Sequence, residues 1–171
     1  ALMRGWPDSE WKPLAEFVEE MVASVEPTQT WLLDLDRRFD RLASSMRRAA
    51  GTGAGTAEAE RLIHASVYGG QELSFATPSG VQVAMGCQGF VQRVSTVGSC
   101  RSVADFLAGL SPDAVVRAAD LAAMVEEGVY KAHPNSDAEQ VRSWVASDFD
   151  ALRAFYREVA AAGHSVLITR D

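Results

Sequence analysis

The chain has 171 residues, a formal net charge of −7, 47% hydrophobic and 23% charged residues, the make-up of an ordinary globular protein of one-domain size. No run approaches the ~20 apolar residues that a membrane span needs, and the acidic total opposes general nucleic-acid binding, which requires a basic footprint. Two cysteines, Cys87 and Cys100, are too few for a disulfide framework, and a start without a long apolar stretch after basic residues does not read as a signal peptide, so a cytoplasmic setting is expected.

Charge is uneven along the chain. Residues 1–26 hold six acids (Asp8, Glu10, Glu16, Glu19, Glu20, Glu26) against Arg4 and Lys12, whereas residues 34–50 hold five arginines against Asp34, Asp36 and Asp40. The arginine stripe reads first as a solvated helix face that pairs with nearby acids. A phosphate or acidic-partner site is the sharper alternative.

In chain order, apolar residues at helical spacing predict a first helix over Pro13–Val25, ended by Pro27, and a second from Trp31 to Ala49 with Leu32, Leu35, Phe39, Leu42 and Met46 on one stripe. Asp34 and Arg38, four apart, form a favourable pair within that second helix. The Gly51-Thr-Gly-Ala-Gly-Thr56 stretch reads as a loop, because a nucleotide-binding turn needs a strand before it. A helix from Ala57 to Val67 should close at Gly69 and Gly70. Alternation at Leu73, Phe75, Val81, Val83 and Met85, interrupted by Thr77-Pro-Ser-Gly80, predicts a hairpin, and Gly86, Gly89 and Gly98 an irregular stretch after it. Helical spacing returns near Ser99. Ser111-Pro112 starts a helix, Asp120 caps a short one that Gly128 stops, and Ser136 with Glu139 has capping-box spacing at the head of the longest helix. Val141, Trp144, Val145, Phe149, Leu152, Phe155, Tyr156 and Val159 give that helix a wide apolar face up to Gly163, and residues 165–169 form a closing strand that pairs with the central ones.

Four blocks in this plan carry a family resemblance: Asp34-Leu-Asp-Arg-Arg-Phe39; Ala65-Ser-Val-Tyr-Gly-Gly70 followed by Leu73; Met124 with Gly128-Val-Tyr130; and Phe149, Leu152, Arg153, Phe155 and Tyr156 through Gly163 and the closing strand. Together they resemble the YfbM-like family of small bacterial domains of unknown function. Phe39 stands where that family carries Trp, the polar opening replaces its short apolar strand, and residues 75–97 diverge. The matching positions are packing and turn residues, so the resemblance implies a fold and no chemistry. The expected architecture is α+β: a predominantly helical single domain over residues 1–171, with 1–30 a divergent helical segment, a small, mainly antiparallel sheet and a long C-terminal helix followed by a strand.

Candidate chemistry is sparse. His64, His133 and His164 lie too far apart for local metal-ligand spacing, and structural or solvent-facing roles suit them. Cys87, between glycine-punctuated residues, lacks a recognisable partner base, and Ser66, Ser95 and Ser99 lack a nucleophile elbow. Asp34 and Asp36 would project about 200° apart on a helix and cannot converge as an acid–base pair. Tyr130, Trp144 and Tyr156 read as core aromatics before pocket walls. No catalytic residue, metal or cofactor is implied. The leading expectation is a non-catalytic protein-binding module of inhibitor or immunity type, acting on a toxin or regulator, with Asp34, Arg37, Arg41, Tyr130 and His133 as binding residues. The rival is a small-molecule-binding protein or hydrolase with a pocket near Tyr130, His133 and the Cys87 loop. Nucleic-acid contact through Arg37, Arg41 and Arg48 ranks third.

Overall fold

Leu42, Ala43 and Met46 lie on one side of α1 (Phe39–Ala50) and are fully buried. The computed structural model describes Leu33, Leu35 and residues 38–51, 55–72, 74–76, 82–84, 86–87, 90–91 and 93–168, with only the backbone of those between 74 and 91. The helix expected over Pro13–Val25 lies outside these residues, as do Asp34, Asp36 and Arg37. The helix expected from Trp31 begins at Phe39. Leu33 and Leu35, two apart, are non-helical yet pack against the core, which suits an extended entry rather than a helical stripe. The Arg38 amide donates to the Leu35 carbonyl at 2.8 Å in the turn before the helix. Arg38 therefore occupies the N-cap, and its expected pairing with Asp34 lies outside the described residues.

A glycine-rich connection leads to α2 (Thr56–Val67), which buries Leu62, Ile63, Ala65, Ser66 and Val67. After Gly69 the chain enters β1 (Gln71–Glu72) and then two antiparallel ladders, β2 (Ser74–Ala76) with β3 (Gln82–Ala84), and β4 (Gly86–Cys87) with β5 (Phe90–Val91). The first ladder pairs Phe75 with Val83, the expected hairpin. The second replaces the expected irregular stretch, so Cys87 belongs to a strand and not to a loop. β6 (Arg93–Ser95) returns to pair with β1.

Thr96 caps α3 (Val97–Gly109), its hydroxyl accepting from the Ser99 amide at 3.4 Å, and Cys100, Val103 and Leu107 face inward. Gly98 thus sits in the helix's first turn, beyond the irregular stretch assigned to it. Ser111 caps α4 (Pro112–Arg117) as expected, accepting from the Ala114 amide at 3.4 Å. The Asp120 carboxylate caps α5 (Leu121–Glu126) through the Ala122 and Ala123 amides at 3.0 and 3.2 Å. A connector then leads to α6 (Ala138–Ala162), the 25-residue helix that organises the molecule. Its cap is Asp137, not Ser136: the Asp137 carboxylate accepts from the Glu139 and Gln140 amides at 2.9 and 3.3 Å. Gly163 ends it with φ 70° and ψ 34°, the left-handed conformation that glycine adopts without Cβ crowding.

α6 packs against α3, α4 and α1, and α2 bridges α1 and α3. Val141, Val145, Phe149, Leu152, Tyr156 and Val159 from α6 are buried in one cluster with residues of every other helix. Each large side chain so buried contributes about 1.5–3 kcal/mol. β7 (Val166–Ile168) pairs antiparallel with β6, Ser95 opposite Val166, and completes a three-stranded sheet in the order β1-β6-β7. The fold is α+β, mostly helical with a small antiparallel sheet and a long C-terminal helix plus strand, as expected. Among the described residues, no helix is long and apolar enough to cross a membrane.

Candidate functional site

The N-cap and first turn of α1 project Arg38 and Arg41, three apart, toward the N-terminal half of α6. There Trp144 and Asp148, four apart, share one face. An Arg38 Nη2 lies 3.1 Å from Asp148 Oδ1. Both guanidinium groups also sit over the Trp144 ring, Arg41 at 5.3 Å and Arg38 at 5.9 Å from its centroid. Arg41 Nη2 donates to the Lys131 carbonyl in the connector before α6. Lys131 holds φ 58°, left-handed for a residue with a Cβ, and its ammonium lies 5.7 Å from the ring centroid of Tyr130.

Burial makes this cluster unusual. Arg41 is 7% exposed and Asp148 5% exposed, though charged side chains are almost never so deep unless paired. Arg38 Nε and Arg41 Nε are buried and donate to nothing. Desolvation, and next the nearby Arg38 charge, lower the proton affinity of the Arg41 guanidinium, while Asp148 opposes them. Arginine stays charged nonetheless, so two cations face one carboxylate among the described residues. Below them, Glu127 accepts from Ser44 Oγ at 3.2 Å and from Arg48 Nη2 at 2.6 Å, clamping α1 to the end of α5 and fixing the connector.

The predicted residues are only partly brought together. Arg41 and the Tyr130–Lys131 turn meet, but Arg41 is buried rather than solvated, because it needs Trp144 and a carbonyl to replace its water. Tyr130 is 46% exposed and not a core aromatic. His133 is exposed in the connector, His64 and His164 are exposed elsewhere, and no group of three metal-competent side chains occurs among the described residues. Asp40 accepts from the Tyr68 hydroxyl. Arg47 and Arg48 pair with Glu60 and Glu127 at 2.8 and 2.6 Å, which fits the reading of the arginine stripe as acid-paired at those two positions, whereas Arg41 is buried and Arg37 lies outside the described residues. A groove of about 480 Å³ between α5 and the start of α6 is lined by Leu121, Val125, Pro134 and Ala138. Its flanking polar groups are already engaged, Asp120 as a cap and Arg142 with Glu139.

Arg38, Trp144 and Asp148 were absent from the expected site. One signal for them was available: Asp148 falls on the same helical stripe as Val145 and Leu152, and a carboxylate on an apolar stripe implies a buried cation. Chemically, a guanidinium pair on an indole can hold a planar anion. It offers no general base or nucleophile.

The crystal structure of YfbM from Escherichia coli, a protein of unknown function, shares this fold with TM-score 0.57 and 16% identity, over 95% of this chain and 93% of that one. No curated protein matches. The family model of a domain of unknown function, DUF1877, matches residues 2–169, and the chain belongs to that family.

Proposed function

We propose that the domain works by binding a protein partner, without chemistry of its own, through the surface on which Tyr130, Lys131, Trp144, Arg38 and Arg41 meet. The observation that carries this reading is the exposed Tyr130 ring next to Lys131, whose carbonyl accepts from the arginine that lies over Trp144. Tyrosine, tryptophan and arginine are the residues that dominate binding energy at protein interfaces, where they offer large area at small entropic cost. The rigid backing favours the same use: α6 carries Trp144, and the Glu127 clamp steadies the turn that carries Tyr130. An inhibitor or immunity-type role, in which a small domain covers a toxin or regulator, is the concrete form.

Copurification of the chain from its native host tests this. A stoichiometric partner is expected with the wild type, and at least tenfold less of it with Tyr130→Ala combined with Lys131→Glu, both exposed positions. Recovery of no partner, or equal recovery by the double variant, overturns the reading.

A further inference from the structure

We infer that the Arg38–Arg41 pair is a receptor for a carboxylate presented by an acidic segment of the bound protein. This rests on the protein-binding reading and adds what the surface recognises. Two guanidinium groups lie over the Trp144 ring, 5.9 and 5.3 Å from its centroid, and the bonds of each leave donors over: Arg38 meets Asp148 through Nη2, and Arg41 meets the Lys131 carbonyl through Nη2. Arg41 is nine-tenths buried, and its Nε has no acceptor. A buried donor without an acceptor is costly, and a buried charge without full compensation more so. An incoming anion removes both penalties at once.

The charge count selects the anion. Among the described residues, two arginines face the one carboxylate of Asp148, an excess near +1 that a monoanion cancels and a dianionic phosphate overshoots. A planar carboxylate also matches the guanidinium fork, and the indole beneath shields the contact from water. The net charge of −7 opposes a long polyanion such as nucleic acid. At about 0.15 M salt, however, that long-range repulsion is screened beyond roughly 8 Å, so a short acidic segment meets mainly the local guanidinium pair.

The test follows the Arg38 and Arg41 Nε–Hε resonances of the isotope-labelled full chain at 150 mM salt. The probes are capped hexaglutamate, capped hexaglutamine, glutarate and inorganic phosphate. Hexaglutamate is expected to shift both resonances saturably, at least tenfold more tightly than glutarate or phosphate, and hexaglutamine not at all. Arg38→Gln, at a half-buried position, should weaken hexaglutamate binding at least fivefold while the helical circular dichroism is retained. Arg41→Lys should weaken it similarly, because an ammonium keeps the charge but loses the fork. Silent arginine resonances, or hexaglutamate binding unchanged in Arg38→Gln, overturn the inference. Equal or tighter glutarate binding assigns the site to a free small carboxylate, and tighter phosphate binding to a dianion; either outcome also overturns it. A partner lost on Tyr130→Ala with Lys131→Glu, combined with silent arginines, sinks only this inference and leaves the protein-binding reading standing.

Discussion

The Tyr156 hydroxyl lies 3.1 Å from the carbonyl oxygen of Ser66, 90 residues away in sequence, and 3.2 Å from that of Ala65. It thereby fastens the C-terminal half of α6 to the last turn of α2, where helix carbonyls lack intrahelical partners. Ser95 Oγ reaches the same Ala65 carbonyl at 3.2 Å and accepts from the Gly70 amide at 3.1 Å, so the sheet joins the fastening. Two of the blocks that carry the family resemblance are thus held to one another by a buried hydrogen bond. Tyr156→Phe keeps the ring and removes the donor. It should cost about 1–2 kcal/mol, with Tm falling by about 2–4 °C for each kcal/mol at this chain length. Calorimetry checks this, and an unchanged Tm would show that the bond adds nothing net.

Gly69 makes a sharper prediction in the same region. Its φ is +94°, and a Cβ there would lie 2.4 Å from the Cβ of Arg93 on β6. Gly69→Ala combines left-handed strain of about 1–2 kcal/mol with an overpacking penalty of about 1–3 kcal/mol, a total of about 2–5 kcal/mol. Gly128, with φ +67° and nothing within 4 Å of its would-be Cβ, carries the strain alone, so Gly128→Ala should cost about 1–2 kcal/mol. Urea midpoints of the two variants decide the matter. Equal losses would mean that Arg93 gives way freely.

The head of α6 separates two neighbouring polar residues. Asp137→Ala removes the carboxylate that accepts from the Glu139 and Gln140 amides and should cost about 1 kcal/mol. Ser136→Ala should be nearly neutral. The reverse order in thermal melts would restore Ser136 as the cap. Here the sequence was ambiguous for a physical reason. Ser and Asp both cap well, they are adjacent, and Glu139 completes a capping box only with Ser136. The backbone at Asp137, φ −75° and ψ 117°, makes the choice, whereas Glu139 turns to Arg142 instead.

Ser111, Asp120 and Gly163 were legible for the converse reason: each had one good cap residue at the break in its apolar spacing, and a cap is decided within three or four residues. The start of α1 was not, because Leu32, Leu35 and Phe39 continue the helical spacing into a segment where Leu33 and Leu35 are non-helical yet pack against the core. The candidate site was the least legible part. It joins α1, the connector and α6, residues about a hundred positions apart, and no local pattern reports that Arg41 will meet the Lys131 carbonyl. Tyr130 and Arg41 were singled out from residue type. The bond that joins Arg41 to the residue after Tyr130 is tertiary.

Stability at alkaline pH follows from three acids, the buried Tyr156 and Cys100 and the half-buried Tyr68. Burial first, and then its bond to the Asp40 carboxylate, raises the Tyr68 hydroxyl above the ordinary tyrosine value. Burial, followed by nearby Cys100, raises Tyr156 in the same direction, and burial raises the Cys100 thiol. Each group holds its proton more tightly in the folded chain than in the unfolded one. Their stabilisation is therefore fully present below the unfolded values, about 8.5 for cysteine and about 10 for tyrosine, and is lost as pH rises from there through the folded values. Urea midpoints should begin to fall above about pH 8.5 and fall more steeply above about pH 10, where Tyr156 alone contributes up to about 1.4 kcal/mol per pH unit. Absorbance at 295 nm gives an independent check, because the signals of Tyr68 and Tyr156 should appear only with unfolding. Tyr156→Phe should make the steep limb shallower, leaving the share of Tyr68, and should not touch the limb that begins near pH 8.5, which Cys100→Ala should remove. Two tyrosinates forming in the folded chain near pH 10 would show that water reaches both hydroxyls, and the alkaline loss would then have another origin.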